Sequence, residues 1–122
     1  MKYLISLLIV SISLLVVDSS SAQHAIAPQR IAIGVSAPLT GEAATYGEDI
    51  RNAIQYAADT LGAGRYALIV EDDECSGSAA ATVAQKLTKV DKVGYVVGFG
   101  CSGALLAAAP IYERSKTVTI GV

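Results

Sequence analysis

Gly94-Tyr95-Val96-Val97-Gly98-Phe99-Gly100-Cys101-Ser102-Gly103 joins a short apolar run to a glycine-rich turn, and beyond it Leu105, Ala108, Ala109 and Tyr112 recur at helical spacing. An uncharged run too short for a helix and bounded by glycine reads as a strand covered on both faces, leading through the turn into a helix. Upstream the same order repeats. Residues 30–36, Arg-Ile-Ala-Ile-Gly-Val-Ser, form a first buried strand closed by Pro38 and Gly41. After a loop over residues 37–46, Ile50, Ala53, Ile54, Ala57, Ala58 and Leu61 mark a helix with Glu48 and Asp49 near its start and Gly62 at its end. Residues 66–70 are a second buried strand running into Glu71, Asp72, Asp73 and Glu74. Ala80, Val83, Ala84 and Leu87 form one face of a second helix, with Lys86, Lys89 and Lys92 near or beyond its end, and residues 117–122 begin a fourth strand. Pro110 removes a donor from the third helix and predicts a kink or a short first segment.

Strands separated by helices, with connections too long for hairpins, imply right-handed crossovers and a parallel sheet. The predicted fold class is therefore α/β, a parallel doubly wound sheet of order βαβαβαβ. No internal repeat, low-complexity tract or interdomain linker interrupts it. The chain stops inside or just after its last strand without a capping element, so it reads as the front part of a larger doubly wound protein.

The first 22 residues have a different character. Met1 and Lys2, a largely apolar run over residues 3–17, and the small polar stretch Asp18-Ser19-Ser20-Ser21-Ala22 follow the order of a secretory signal peptide, cleaved between Ala22 and Gln23. The alternative, an uncleaved membrane anchor, needs about 20 apolar residues, and this run is shorter and broken by serines. No Cys at the junction offers a lipid attachment point. Residues 23–29 read as a flexible leader, and residues 30–122 as the domain, too small to be divided in two. Cleavage removes one Lys and one Asp, leaving the net charge at −2, which gives no reason to expect nucleic acid or an anionic membrane as partner. No stable membrane insertion is expected once the leader is removed.

Cys75 and Cys101 lie in a chain that leaves the reducing cytoplasm, so one disulfide is the default reading. With His24 the lone histidine, no zinc-like spacing exists, and no metal or cofactor is expected. The four carboxylates at 71–74 lack the alternating pattern of a calcium loop and read as a solvated loop.

Open parallel sheets bind ligands beyond the carboxyl ends of their strands. Two glycine-rich loops lie there: residues 37–47 after the first strand and 98–103 after the third. The second opens into a helix whose free N–H groups and positive dipole end suit an anion, with Ser102 either capping its own helix or turning its hydroxyl to the ligand. Tyr46, placed just before the first helix, either walls a pocket or packs on the sheet.

Enzyme readings fit poorly. Gly98, Gly100 and Gly103 spell G-x-G-x-x-G, but no acidic residue follows about 20 positions on to hold a ribose. The nucleophile elbow fails by one position, and no general base accompanies Ser102.

Residues 31–46 with Ala37-Pro38-Leu39-Thr40-Gly41 and Tyr46-Gly47, the stretch Asp72-Asp73-Glu74-Cys75, and residues 98–103 followed by Ile111-Tyr112-Glu113 together resemble the periplasmic solute-binding proteins of branched-chain and related amino-acid ABC transporters. The resemblance implies an incomplete first lobe of the type I periplasmic-binding-protein fold, with the second lobe absent. It pairs Cys75 with Cys101, gives Ser102 the α-carboxylate of an amino acid, makes Tyr46 an aromatic closing over the ligand, places Gly100 where a backbone group approaches it, and counts Cys101 among the ligand-binding residues. It further implies a periplasmic, non-enzymatic protein whose partners are a small-molecule solute and the transporter's membrane permease. Two rivals share the architecture: the ligand-binding portion of an extracellular sensor, and a secreted α/β enzyme whose catalytic residues lie elsewhere.

Overall fold

The computed structural model describes residues 29–122, so the expected signal peptide and the leader up to residue 28 lie outside the described residues. Four strands, β1 (Ile31–Ala37), β2 (Tyr66–Asp72), β3 (Tyr95–Gly98) and β4 (Val118–Gly121), alternate with three helices, α1 (Ala44–Leu61), α2 (Gly77–Gln85) and α3 (Ser102–Ser115). Every strand pairing is parallel, and the order across the sheet is β2-β1-β3-β4.

That order fixes the layers. The step from β1 to β2 runs one way along the sheet, whereas β2 to β3 and β3 to β4 run the other. Right-handed crossovers then put α1 on one face and α2 and α3 on the opposite face, with the reversal between β1 and β3. Side chains alternate accordingly. Val96, fully buried, joins Ala80, Ala84, Leu87, Ala108 and Tyr112 in the core beneath α2 and α3. An atom added at Gly34 Cβ would lie 2.9 Å from Leu87 Cδ1, on the same face. Ile33 and Val97 look the other way, toward Ile54 and Leu61 of α1.

The strands and helices follow the hydrophobic pattern, with three departures. First, β2 runs through Glu71 and Asp72, because Ser36 and Ala37 at the end of β1 pair with them. Ladder pairing overrides the low strand propensity of acidic residues. Second, α1 begins at Ala44, inside the stretch 37–46 expected as loop, so Tyr46 lies in its first turn rather than just before it and the loop shrinks to residues 38–43. Gly47 makes this possible, since any Cβ there would stand 1.8 Å from the Pro38 carbonyl oxygen. Third, α3 neither ends nor splits at Pro110. Pro110 is exposed, so its missing donor leaves no buried vacancy in the helix wall.

α2 continues into a single π turn, Lys86–Val90, where Lys86 pairs with Glu71 and, at 3.2 Å, with Asp91. Both carboxylates raise the Lys86 pKa above its ordinary value, Glu71 more than Asp91. The side chain is well exposed, so the pairs serve mainly to orient the turn.

The α1 face is unevenly covered. Ile33, Ile54, Leu61, Leu68, Val97 and Ile120 line an apolar trough of about 420 Å3 that opens outward. Leu61 remains 77 % exposed and Ile120 58 %. The two faces should therefore respond differently to truncation. Leu87→Ala, in the closed core, is expected to lower stability by about 2–5 kcal/mol, whereas Leu61→Ala should change it by less than about 0.5 kcal/mol. Urea denaturation followed by circular dichroism compares them, and equal shifts would mean that the trough is closed in solution.

Candidate functional site

Ser36 stands at the reversal point, in the last turns of β1 between β2 and β3. It is fully buried, and its two polar groups face opposite neighbours. Its hydroxyl donates to Asp73 Oδ2 at 2.8 Å, just past β2, while its carbonyl accepts the Phe99 N–H at 2.6 Å, just past β3. The close approach of β3 requires Gly98, whose φ is +120° and whose hypothetical Cβ would lie 2.2 Å from the Ser36 oxygen.

Beyond β2 and β3, two segments adopt the left-handed conformation without glycine: Glu74 and Cys75, at φ of +52° and +53°, and Phe99, at +64°. Such residues are strained and persist only where surrounding contacts fix them. The contact here is covalent. Cys75 and Cys101 form a disulfide with Cα atoms 5.4 Å apart, joining the loop after β2 to the loop after β3. Closing a chain segment of 26 residues stabilises the fold by roughly 3–4 kcal/mol on loop-closure grounds.

α3 starts directly from this brace. Cys101, in extended conformation, takes the cap position, and its carbonyl accepts from the N–H groups of Ala104 and Leu105. Ser102 is the first helical residue, exposed, and makes no capping bond, so the self-capping role is not the one adopted. No described residue accepts from the N–H groups of Ser102 and Gly103. Free donors at the positive end of a helix, with a hydroxyl beside them, can receive an anionic group without further rearrangement.

Tyr46 approaches the same loop from α1. A Cβ at Gly100 would lie 2.9 Å from Tyr46 Cε1 and 3.0 Å from Ile50 Cδ1, so the absence of a side chain lets the ring lie against the backbone. Tyr46 stays 52 % exposed, which leaves the ring half open at this edge. Tyr46, Gly100, Cys101 and Ser102 thus gather at one edge of the sheet. A recess of about 430 Å3 is lined by Thr40, Glu42, Ala43, Glu74 and Cys75, the last of which is bonded to Cys101; Ser102 is exposed and not part of its lining.

The carboxylates at 71–74 do not form the solvated loop expected of them. Glu71 and Asp72 belong to β2, and Asp73 is fully buried. Asp72 ties down the loop after β1: it accepts from the Leu39 N–H at 2.8 Å, the Thr40 hydroxyl at 2.6 Å and the Glu74 N–H at 2.9 Å. Burial disfavours its charged form, but the hydrogen bonds from Thr40, Glu74 and Leu39 together outweigh it and hold its pKa below the ordinary carboxylate value. A run of four acids gives no hint of which member turns inward, because that depends on where β2 stops pairing. Behind the loop, Tyr112 meets Phe99 edge to face, with ring centroids 5.8 Å apart. Its hydroxyl is buried without a hydrogen-bond partner among the described residues, and burial, followed by the nearby charge of Asp73, pushes its pKa far upward.

A parallel doubly wound sheet with its polar groups gathered at the reversal point is the architecture of a ligand-binding α/β domain. Residues 30–122 match the periplasmic binding protein family, and the chain belongs to it. An amino acid binding protein of Pseudomonas aeruginosa is 36% identical over 103 residues, covering 80% of this chain and 27% of the relative. A solute binding protein of an ABC transporter from Rhodopseudomonas palustris, crystallised with 3,4-dihydroxybenzoic acid, superposes with a TM-score of 0.70 at 32% identity, over 75% of this chain and 26% of that one. The branched-chain amino acid transporter substrate binding protein LivJ from Streptococcus pneumoniae, in complex with isoleucine, superposes with a TM-score of 0.72 at 27% identity, over 76% and 28%. The chain therefore spans about a quarter of the length of these relatives, each of which is a binding protein for a small solute.

Two measurements probe this geometry. A pKa lowered in the folded state makes Asp72 stabilising above its unfolded value of about 3.9, and that contribution is lost as pH falls through the folded value. Thermal melts between neutral pH and about pH 3 should show an acid-side loss that Asp72→Asn flattens. Tyr112→Phe removes the unpaired hydroxyl while keeping the ring, and is expected to stabilise the fold by about 1 kcal/mol in urea unfolding.

Proposed function

We propose that this chain carries the carboxylate-receiving part of an extracytoplasmic solute-binding protein for an ABC transporter of branched-chain or related amino acids. The observation that carries the reading is the start of α3, where the N–H groups of Ser102 and Gly103 and the Ser102 hydroxyl have no partner among the described residues, at the reversal point of the sheet. The solute's carboxylate is received there, and Tyr46 packs over its aliphatic part beside Gly100. Isoleucine and 3,4-dihydroxybenzoic acid, the solutes named for two of the structural relatives, have a carboxylate in common and little else. A receptor built for that shared group suits both, leaving selectivity for the rest of the solute to other residues. The membrane permease of the transporter is the proposed protein partner, and the periplasm the proposed compartment.

The dihydroxybenzoate complex, at 32% identity, favours a second reading in which the solute is an aromatic carboxylate. Neither a sensor nor an enzyme is suggested by the three proteins compared.

Backbone amide resonances test the proposal. Isoleucine at millimolar concentration is expected to shift the amides of residues 100–103 selectively, and Ser102→Ala to weaken that binding about tenfold, as for a lost hydrogen bond to a charged group. The methyl ester of isoleucine should have no effect. Equal shifts from the ester would exclude carboxylate recognition, and a response to 3,4-dihydroxybenzoate alone would select the aromatic reading. Silence toward both acids would defeat the proposal.

A further inference from the structure

Asp73 is used by no step of the binding scheme above, yet it is among the most tightly held side chains in the molecule. It is fully buried, and each of its polar groups has a partner. Its N–H donates to the Ala37 carbonyl at 3.1 Å, and its own carbonyl accepts from Ser76 N–H at 2.8 Å, where α2 begins. Oδ1 accepts from the Cys75 N–H at 3.0 Å, and Oδ2 accepts from the Ser36 hydroxyl at 2.8 Å.

These two side-chain bonds lead to opposite ends of the disulfide. Through Oδ1, Asp73 closes a short turn over Glu74 and Cys75, the two residues held in the left-handed region, and so sets the direction in which Cys75 leaves the backbone. Through Oδ2, it fixes Ser36, whose carbonyl holds Phe99 two residues ahead of Cys101. We infer that Asp73 is a positioning residue: it brings Cys75 and Cys101 into bonding register and sets the backbone of the loop that presents Ser102. The cystine and the carboxylate are then two halves of one clamp, in which the carboxylate arranges the geometry and the sulfur bond locks it.

The clamp has a consequence for the thiols. Two cysteines 26 residues apart meet seldom in a mobile chain, so the ease of closing the disulfide depends on how well the folded loop holds them together. Removing both acceptors of Asp73 frees the Glu74–Cys75 turn to leave its strained conformation. Asn at the same position retains most of the arrangement, since its amide oxygen can accept from Cys75 and its NH2 can donate to the Ser36 oxygen.

The experiment is a titration of the chain with reduced and oxidised glutathione, combined with amide hydrogen exchange on the oxidised protein. Asp73→Ala should lower the effective concentration of the Cys75–Cys101 pair about tenfold, the size expected for charge-assisted bonds. Asp73→Asn should stay within about threefold of the parent chain by keeping both contacts. Leu87→Ala, which weakens the core at a residue that is not a hydrogen-bond partner of Asp73, serves as the comparison for a general loss of stability. Asp73→Ala should also speed exchange at the Cys75 and Phe99 amides beyond anything seen in Leu87→Ala. An effect of Asp73→Ala no larger than that of Leu87→Ala, or unchanged exchange at both amides, would overturn the inference.

Should Asp73→Ala not fold, Asp73→Asn and Ser36→Ala decide. Ser36→Ala removes the arm toward Phe99 only, so exchange should rise at Phe99 and not at Cys75, while Asp73→Asn protects both. The reverse pattern, or a uniform one, would refute the clamp. Its value for solute binding rests on the function proposed above. The redox and exchange measurements contain no solute, so a failed clamp and a failed binding site give separate signatures.

Discussion

At the end of β1, Ser36 is approached from both sides at once, at its hydroxyl and at its backbone carbonyl. β2 reaches it through the buried Asp73 carboxylate, and β3 through the Phe99 amide, with only a glycine at position 98 allowing the second approach. Parallel strands must separate somewhere beyond their last paired residues, and the point of separation is where their polar groups lose ladder partners. In this protein the separation is bridged by one serine, and every feature of the edge is measured from it: the turn at Glu74–Cys75, the disulfide, the start of α3 and the seat of Tyr46.

The rest of the fold can be understood as support for that junction. α2 and α3 pack on one face through small residues, Ala80, Ala84, Ala104 and Ala108, which bring the start of each helix close to the other. Gly77, the first residue of α2, lies so near α3 that an added Cβ would be 3.1 Å from Ala107 Cβ. Because both helices begin at the disulfide-linked loops, close packing of the helices and closure of the cystine reinforce each other. α1 contributes from the opposite face by tucking its first turn onto Pro38, which carries Tyr46 to the ring position against Gly100.

The apolar trough beside α1 shows the same physics with a different outcome. Ile54, Leu61, Leu68 and Ile120 have the periodicity of core residues, but no described residue covers them fully. Hydrophobic pattern states which face of an element would gain by burial; it does not state whether a covering element is there. The helix at 44–61 was therefore legible from its pattern, while its exposure was not.

The sequence by itself determined the element order, the parallel sheet, the position of the buried face of α2 and the nearness of a glycine-rich turn to a helix start, because these follow from local periodicity and from the handedness of crossovers. It also indicated Cys75, Cys101, Ser102, Gly100 and Tyr46 as residues of one edge, through the order of the motifs. Only the tertiary structure decided which of four consecutive acids is buried, that Cys101 rather than Ser102 caps α3, and that Tyr46 lies inside α1. The first depends on a partner more than thirty residues away, the second on a one-residue shift in where the helix begins, and the third on the packing of Gly47 against Pro38, none of which has a signal in local periodicity.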